Sequence, residues 1–192
     1  EQLHKFSAQM PEFQKSLPCK DEYKTFVPST ESVIYAGDAL YYAGAANCGI
    51  KDIAISLPFD VKVQAEKGTR SILMQNVITS KFNGILVPTA DLVISDKDRE
   101  HVNDRAFFWN VAFREVAHGL GVKTTLDGRS VNEALDNLAS LVEEVKALSM
   151  GTFLSSSVIA KFETNEIVTR EDSYATFLTA LLRSARFGNT EV

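Results

Sequence analysis

Three features of the sequence predict a mainly α-helical chain with a minor β element. Apolar residues recur at three- and four-residue spacing through most of the chain beyond Pro88. They alternate at a spacing of two between residues 50 and 57, and apolar residues make up 45% of the 192. That share is enough for a real core. The length suits one domain, or one large lobe of something bigger. Residues 1–192 are expected to form a single domain, with 1–30 a loosely structured N-terminal arm.

The arm holds Pro11, Pro18 and Pro28, which suggests one short helix followed by irregular chain. Gly44-Ala45-Ala46-Asn47-Cys48-Gly49 reads as a turn. It leads into a strand over Ile50–Leu57, where Ile53, Ile55 and Leu57 alternate with Asp52, Ala54 and Ser56 before Pro58. Ser71–Val77 fits a second strand or a helix start. One helix is expected over Asp96–His118, on the spacing of Val102, Ala106, Trp109, Phe113 and Ala117, with Gly119 and Gly121 ending it. Another begins at Ser130, with Glu133 completing a capping box and a stripe of Val131, Leu135, Leu138, Leu141 or Val142, and Val145. A weaker helix is expected over Ser156–Phe162. The last follows Thr169, with Tyr174, Phe177, Leu181 and Ala185 on one face and Gly188 as the stop. Trp109 and Phe113 are read as core, and Asp127-Gly128-Arg129 as a turn, although an arginine at a loop tip can clamp a carboxylate.

The net charge of −5 and the lack of any Lys/Arg run argue against nucleic acid or an anionic membrane surface as partner. The longest apolar stretches fall far short of a bilayer span. Glu1–Lys5 shows no signal-peptide pattern, so a cytoplasmic location is expected unless a leader has been removed. Cys19 and Cys48 are too few for a disulfide scaffold and are expected as free thiols.

The chemistry concentrates in Arg114-Glu115-Val116-Ala117-His118-Gly119-Leu120-Gly121. Replacing Arg114 by histidine would create His-Glu-x-x-His, in which two imidazoles on one helical face hold zinc and the glutamate activates a bound water. Glu-x-x-His alone is a spacing that helices supply constantly. The next helix adds Glu143-Glu144-Val145-Lys146-Ala147-Leu148, one residue away from Glu-Glu-x-x-Ala-Asp. In zinc hydrolases of this type a second helix supplies a carboxylate ligand, and an acid one turn later orients a metal-bound histidine. Position 148 shares a face with Glu144, but leucine accepts no hydrogen bond.

Further ordered segments accompany these two: Ile53–Pro58, Glu66–Arg70, Lys81–Pro88, Glu133–Leu135, Tyr174–Leu178 and Arg183–Gly188. Together they resemble the dipeptidyl peptidase III-like zinc peptidases, particularly the branch with His-Glu-x-x-His-Gly-Leu-Gly, from about Tyr35 to Gly188. The resemblance implies a helical lobe like that family's metal-site region. It places the two histidine ligands on Arg114 and His118, the catalytic glutamate on Glu115, the glutamate ligand on Glu144 and the orienting acid on Leu148. Arg114 and Leu148 depart from that pattern. The family's late histidine, beyond Arg-Phe-Gly, has no counterpart among His4, His101 and His118. Its members are longer and two-lobed, with substrate between the lobes.

Two remaining ligands, His118 and Glu144, fall below the three that a catalytic zinc needs, and a guanidinium offers no lone pair. No metal and no cofactor are therefore expected, and Arg114 is expected to pair with Glu144 across the helices. Glu115 is read as a solvated helix residue or a partner of a nearby base. His118, in a last helical turn, suits the helix dipole without any ligand role. The leading expectation is a metal-free, non-peptidase descendant that binds a small molecule or protein around Arg114 and Glu144. The alternative is a metal-independent isomerase, cyclase or lyase using Glu115 and His118 for acid–base chemistry. A residual zinc hydrolase is the remote third.

Overall fold

Helices of four to twenty residues dominate the described chain. The computed structural model describes Leu3, Phe6 and residues 8–29, 31–58, 60–158 and 168–185. Helix α1 (Met10–Ser16) has Pro11 in its first turn, where a missing N–H costs nothing. Then come β1 (Val33–Gly37), β2 (Ala54–Leu57), α2 (Val61–Lys67), β3 (Arg70–Met74) and α3 (Gln75–Lys81). A π-helical turn (Phe82–Leu86) leads into α4 (Val87–Val93), followed by α5 (Asp96–Arg99), α6 (Asp104–His118), α7 (Val131–Leu135), α8 (Ala139–Val158) and α9 (Arg170–Ala185). The strands form one sheet in the order β1-β3-β2. This is the mainly helical architecture with a minor sheet that the sequence predicts, and no described helix is long and apolar enough to cross a membrane.

Several boundaries differ from expectation. The helix expected over Asp96–His118 is two helices, because the Asn103 side chain accepts from the Ala106 amide at 2.8 Å and caps a new start. Ser71–Val77 is both of its alternatives in succession, strand to Met74 and helix from Gln75. Strand β1 has no counterpart among the expected elements. Ser130 makes its capping box with Glu133, yet the helix breaks at Asp136, whose φ is 49°, before α8 begins. Of the weaker helix, residues 156–158 belong to α8 and the rest lies outside the described residues, as does Gly188.

Two compact units emerge. The first comprises Glu1–Tyr35, Ala54–Ile72 and Arg114–Met150; the second comprises Ala36–Ile53, Leu73–Phe113 and Gly151–Val192. In the first, the segment expected as a loose arm buries Phe6, Met10, Phe13 and Leu17, whose helical spacing the prolines obscure. Val116, Ala117 and Leu120 are buried with them. Buried Gln14 both donates to Gly121 O (3.1 Å) and accepts from Gly121 N (2.7 Å), so a side-chain amide pairs the backbone beyond α6. Gly121 has φ +88°, and a Cβ there would stand 3.1 Å from Lys146 Cδ, so glycine alone suits this turn. The Cys19 thiol is free and exposed.

In the second unit Trp109 and Phe113 are buried with ring centroids 6.0 Å apart, in the core role expected of them. The Cys48 thiol here is likewise free and exposed. Helix α9 is inverted relative to expectation. Ser173, Thr176 and Thr179 are fully buried, whereas Tyr174 and Leu178 are about half exposed (48% and 50%) and Leu181 and Leu182 nearly so. The buried polar face is satisfied internally: Ser173 O accepts from Asn110 Nδ2 (3.0 Å), and Thr176 Oγ1 accepts from Asn103 N (3.2 Å) and donates to His101 O (3.3 Å). Back in the first unit, Leu138 just before α8 and Leu141, Val142 and Val145 within it are exposed too, while Ala147 is buried.

The His101–Asp172 contact (2.9 Å) ties the loop before α6 to the first turn of α9. The hydrogen bond that His101 donates to Asp172 raises the His101 pKa above its ordinary 6.5. A raised folded-state value means stability that is complete below the ordinary pKa and lost as pH rises through the folded one. Replacing His101 by Gln is therefore expected to lower the urea midpoint more at about pH 5 than at about pH 8. Equal losses at both pH values would show that the pair carries no titrating stability.

Candidate functional site

Helix α6 ends on Arg114, Glu115 and His118, anchored by Val116 and Ala117, which sit between them in sequence and are buried in the first unit. The same unit contains the first half of α8, with Glu143 and Glu144. The pair expected between Arg114 and Glu144 is formed: Arg114 Nη2 lies 2.5 Å from Glu144 Oε2. It is not bidentate. The other prong, Nη1, donates to Glu115 Oε1 at 2.8 Å, so one guanidinium spans two carboxylates.

Glu115 is only 3% exposed, which overturns the reading of a solvated residue. Its second oxygen, Oε2, accepts from Ser56 Oγ at 2.6 Å, and Ser56 Oγ lies 2.6 Å from Ser71 Oγ on the neighbouring strand β3. A buried carboxylate needs such partners, and both of its oxygens are engaged. Ser56 was invisible in the sequence as a site residue. It sits in the polar half of the alternation in β2, yet it turns to Glu115, 59 positions away.

His118 lies between two carboxylates, with Nδ1 3.2 Å from Glu143 Oε1 and Nε2 3.8 Å from Glu144 Oε1. An ionised carboxylate only accepts, so Nδ1 carries the hydrogen in the Glu143 bond. Glu143 also grips Lys146 Nζ with both oxygens, at 2.7 and 2.8 Å. Burial pushes the Glu143 carboxyl up, but the His118 hydrogen bond and the Lys146 and Lys123 charges outweigh burial and hold it at about 2. The helix dipole at the end of α6 is met by lysines rather than by His118 alone. Lys123 Nζ donates to His118 O (2.7 Å), and Lys146 Nζ donates to Leu120 O (2.9 Å). Burial, and then the Lys146 charge, bring buried Lys123 down to about 8. Neither lysine was legible beforehand, beyond the three-residue step from Glu143 to Lys146. Arg129 turns to Asp127 within its own loop (2.9 Å), the turn reading rather than a clamp.

Zinc does not fit this donor set. Of the positions that the resemblance marks for metal ligands only His118 and Glu144 carry donors, and Glu144 already holds a guanidinium that offers no lone pair. The Leu148 side chain, one turn beyond Glu144, is a hydrocarbon and not a carboxylate. Among the described residues, no group of three or more His, Cys, Asp or Glu side chains is arranged to hold a metal ion.

The depressed Glu143 pKa fixes the sign of an acid effect. Stability from this carboxylate is complete above its ordinary 4.5 and is lost as pH falls towards about 2. Replacing Glu143 by Gln is expected to flatten the acid limb of the stability curve over that window. The side chain is 35% exposed, so screening limits the effect to at most about 2 kcal/mol. An unchanged acid limb in urea titrations would refute the contribution.

No family model matches the chain. Over 193 aligned residues it is 32% identical to Nudix hydrolase 3 of Arabidopsis thaliana, an alignment that takes in 98% of this chain and 25% of that protein. Among solved structures, dipeptidyl peptidase III (DPP III) from Caldithrix abyssi matches with a TM-score of 0.86 at 31% identity, over 98% of this chain and 36% of that one. DPP III from Corallococcus sp. strain EGB matches with a TM-score of 0.85 at 33% identity, over 96% of this chain and 35% of that one. The chain thus spans a quarter of the curated relative and just over a third of the solved DPP III chains, and over nearly its whole length it is DPP III-like in fold and sequence.

Proposed function

We propose that the chain is a metal-independent, non-peptidase relative of DPP III that binds another molecule around Arg114 and Glu144. One observation carries the reading: the Arg114 guanidinium lies between Glu115 and Glu144, at 2.8 and 2.5 Å. Those two positions correspond by resemblance to the catalytic glutamate and a zinc ligand. A protonated guanidinium there repels a metal cation and saturates the glutamate that would activate water. Arg114, Glu143 and Glu144 are each partly exposed and form a charged surface suited to a polar ligand or a charged protein segment.

A second reading is metal-independent acid–base catalysis, with His118 as the proton carrier beside Glu143 and Glu144, Glu115 as the base and Arg114 as a fixed cation. In its favour stand the imidazole placed between carboxylates and a curated relative named as a hydrolase. Against it stands Glu115, whose oxygens are both committed to Arg114 and Ser56.

Purified protein is expected to hold no stoichiometric zinc after dialysis and to release no dipeptides from peptide substrates. One dialysis-resistant zinc per chain would overturn the proposal. Turnover of a small substrate that disappears in Glu115→Gln would instead favour the second reading. Reversal is also informative. Arg114→His should confer weak zinc affinity through the new imidazole, His118 and Glu144, and adding Leu148→Asp should tighten it roughly 10–100-fold. Calorimetry showing no zinc binding by either variant would mean that the two helices do not present these positions to a common point.

A further inference from the structure

We propose that Glu115 and Glu144 form a cation seat selective for a guanidinium, which the chain fills with its own Arg114, so that this side chain takes over the structural role of a metal. The proposal rests on the metal-independent reading above and adds the chemistry of the occupant. Two carboxylates converge on the two prongs of one planar fork, at 2.8 and 2.5 Å. Glu115 is 3% exposed, and its only other partner among the described bonds is the neutral Ser56 hydroxyl. Without the guanidinium its charge would be buried and uncompensated. The seat carries two negative charges against one positive, so it still attracts a cation after Arg114 is shortened. Its shape selects the kind of cation. The oxygens face separate N–H donors and do not converge with three lone pairs on one point, which suits a forked donor and fails a divalent ion.

The test is chemical rescue. Arg114→Ala is expected to lower Tm by roughly 5–15 °C, the loss that follows when one partner of a buried pair is removed from a chain of this size. Methylguanidinium, at concentrations far below those that denature, should restore several degrees to Arg114→Ala. It should do nothing for the wild type or for Arg114→Ala combined with Glu144→Gln. Zinc should not substitute for it. Equal rescue of all three proteins, no rescue of Arg114→Ala, or rescue by micromolar zinc would each overturn the proposal. If Arg114→Ala does not fold, Arg114→Lys carries the test. Its single ammonium reaches one carboxylate, so adding Glu144→Gln should lower Tm less than the same change does in the wild type. An equal or larger loss would overturn the seat. Zinc bound to the wild type would overturn the underlying metal-independent reading, whereas a zinc-free wild type without rescue overturns only the seat.

Discussion

A guanidinium held between two carboxylates is the constraint on which the rest of the first unit depends. Glu115 is buried, and a buried carboxylate survives in a folded chain only with a cation or several donors beside it. Arg114 supplies the cation and Ser56 the remaining hydrogen bond, so the last turn of α6, strand β2 and the start of α8 are all held to one charge. The attraction by itself adds little net stability once both partners are desolvated. Its consequence lies in the penalty for any arrangement that separates them, roughly 3–5 kcal/mol for loss of one partner. Such a contact specifies position more than it stabilises.

The same economy of charge continues along the helix end. His118 faces Glu143 and Glu144, Glu143 holds Lys146, Lys123 donates to the last carbonyl of α6, and Lys146 to Leu120 O just beyond it. Glu115 and Glu144 meet Arg114, and Glu143 meets Lys146, so each carboxylate of the site has a cation of the chain beside it. In the DPP III-like pattern, position 114 is a metal ligand. In this chain a permanent cation stands there and supplies the positive charge from within the chain.

The second unit shows a different departure from simple patterning. Helix α9 buries Ser173, Thr176 and Thr179 and leaves Tyr174, Leu178, Leu181 and Leu182 substantially exposed. The hydroxyls are tolerated inside because each finds a partner: Ser173 on the Ser155 hydroxyl, Thr176 on His101 O and the Asn103 amide, and Thr179 on a carbonyl of its own helix. Short hydroxyl side chains let backbones approach closely, and the apolar stripe is the face left over.

What the sequence by itself determined were features that rest on near neighbours along the chain. The Ser130–Glu133 capping box, the strand ending at Leu57 and the helix starting after Thr169 follow from local spacing and local hydrogen bonding, and all are present. The Arg114–Glu144 pair was legible too, because two helical motifs implied a common meeting point. The tertiary structure alone decided which partner completes each charge and which face turns inward. Ser56 reaches Glu115 across 59 positions, Gln14 reaches Gly121 across 107, and Thr176 accepts from the Asn103 amide across 73. Periodicity records that a helix has two faces, but the burial of either depends on whether distant groups satisfy its polar atoms, and that is a property of the folded neighbourhood rather than of the segment.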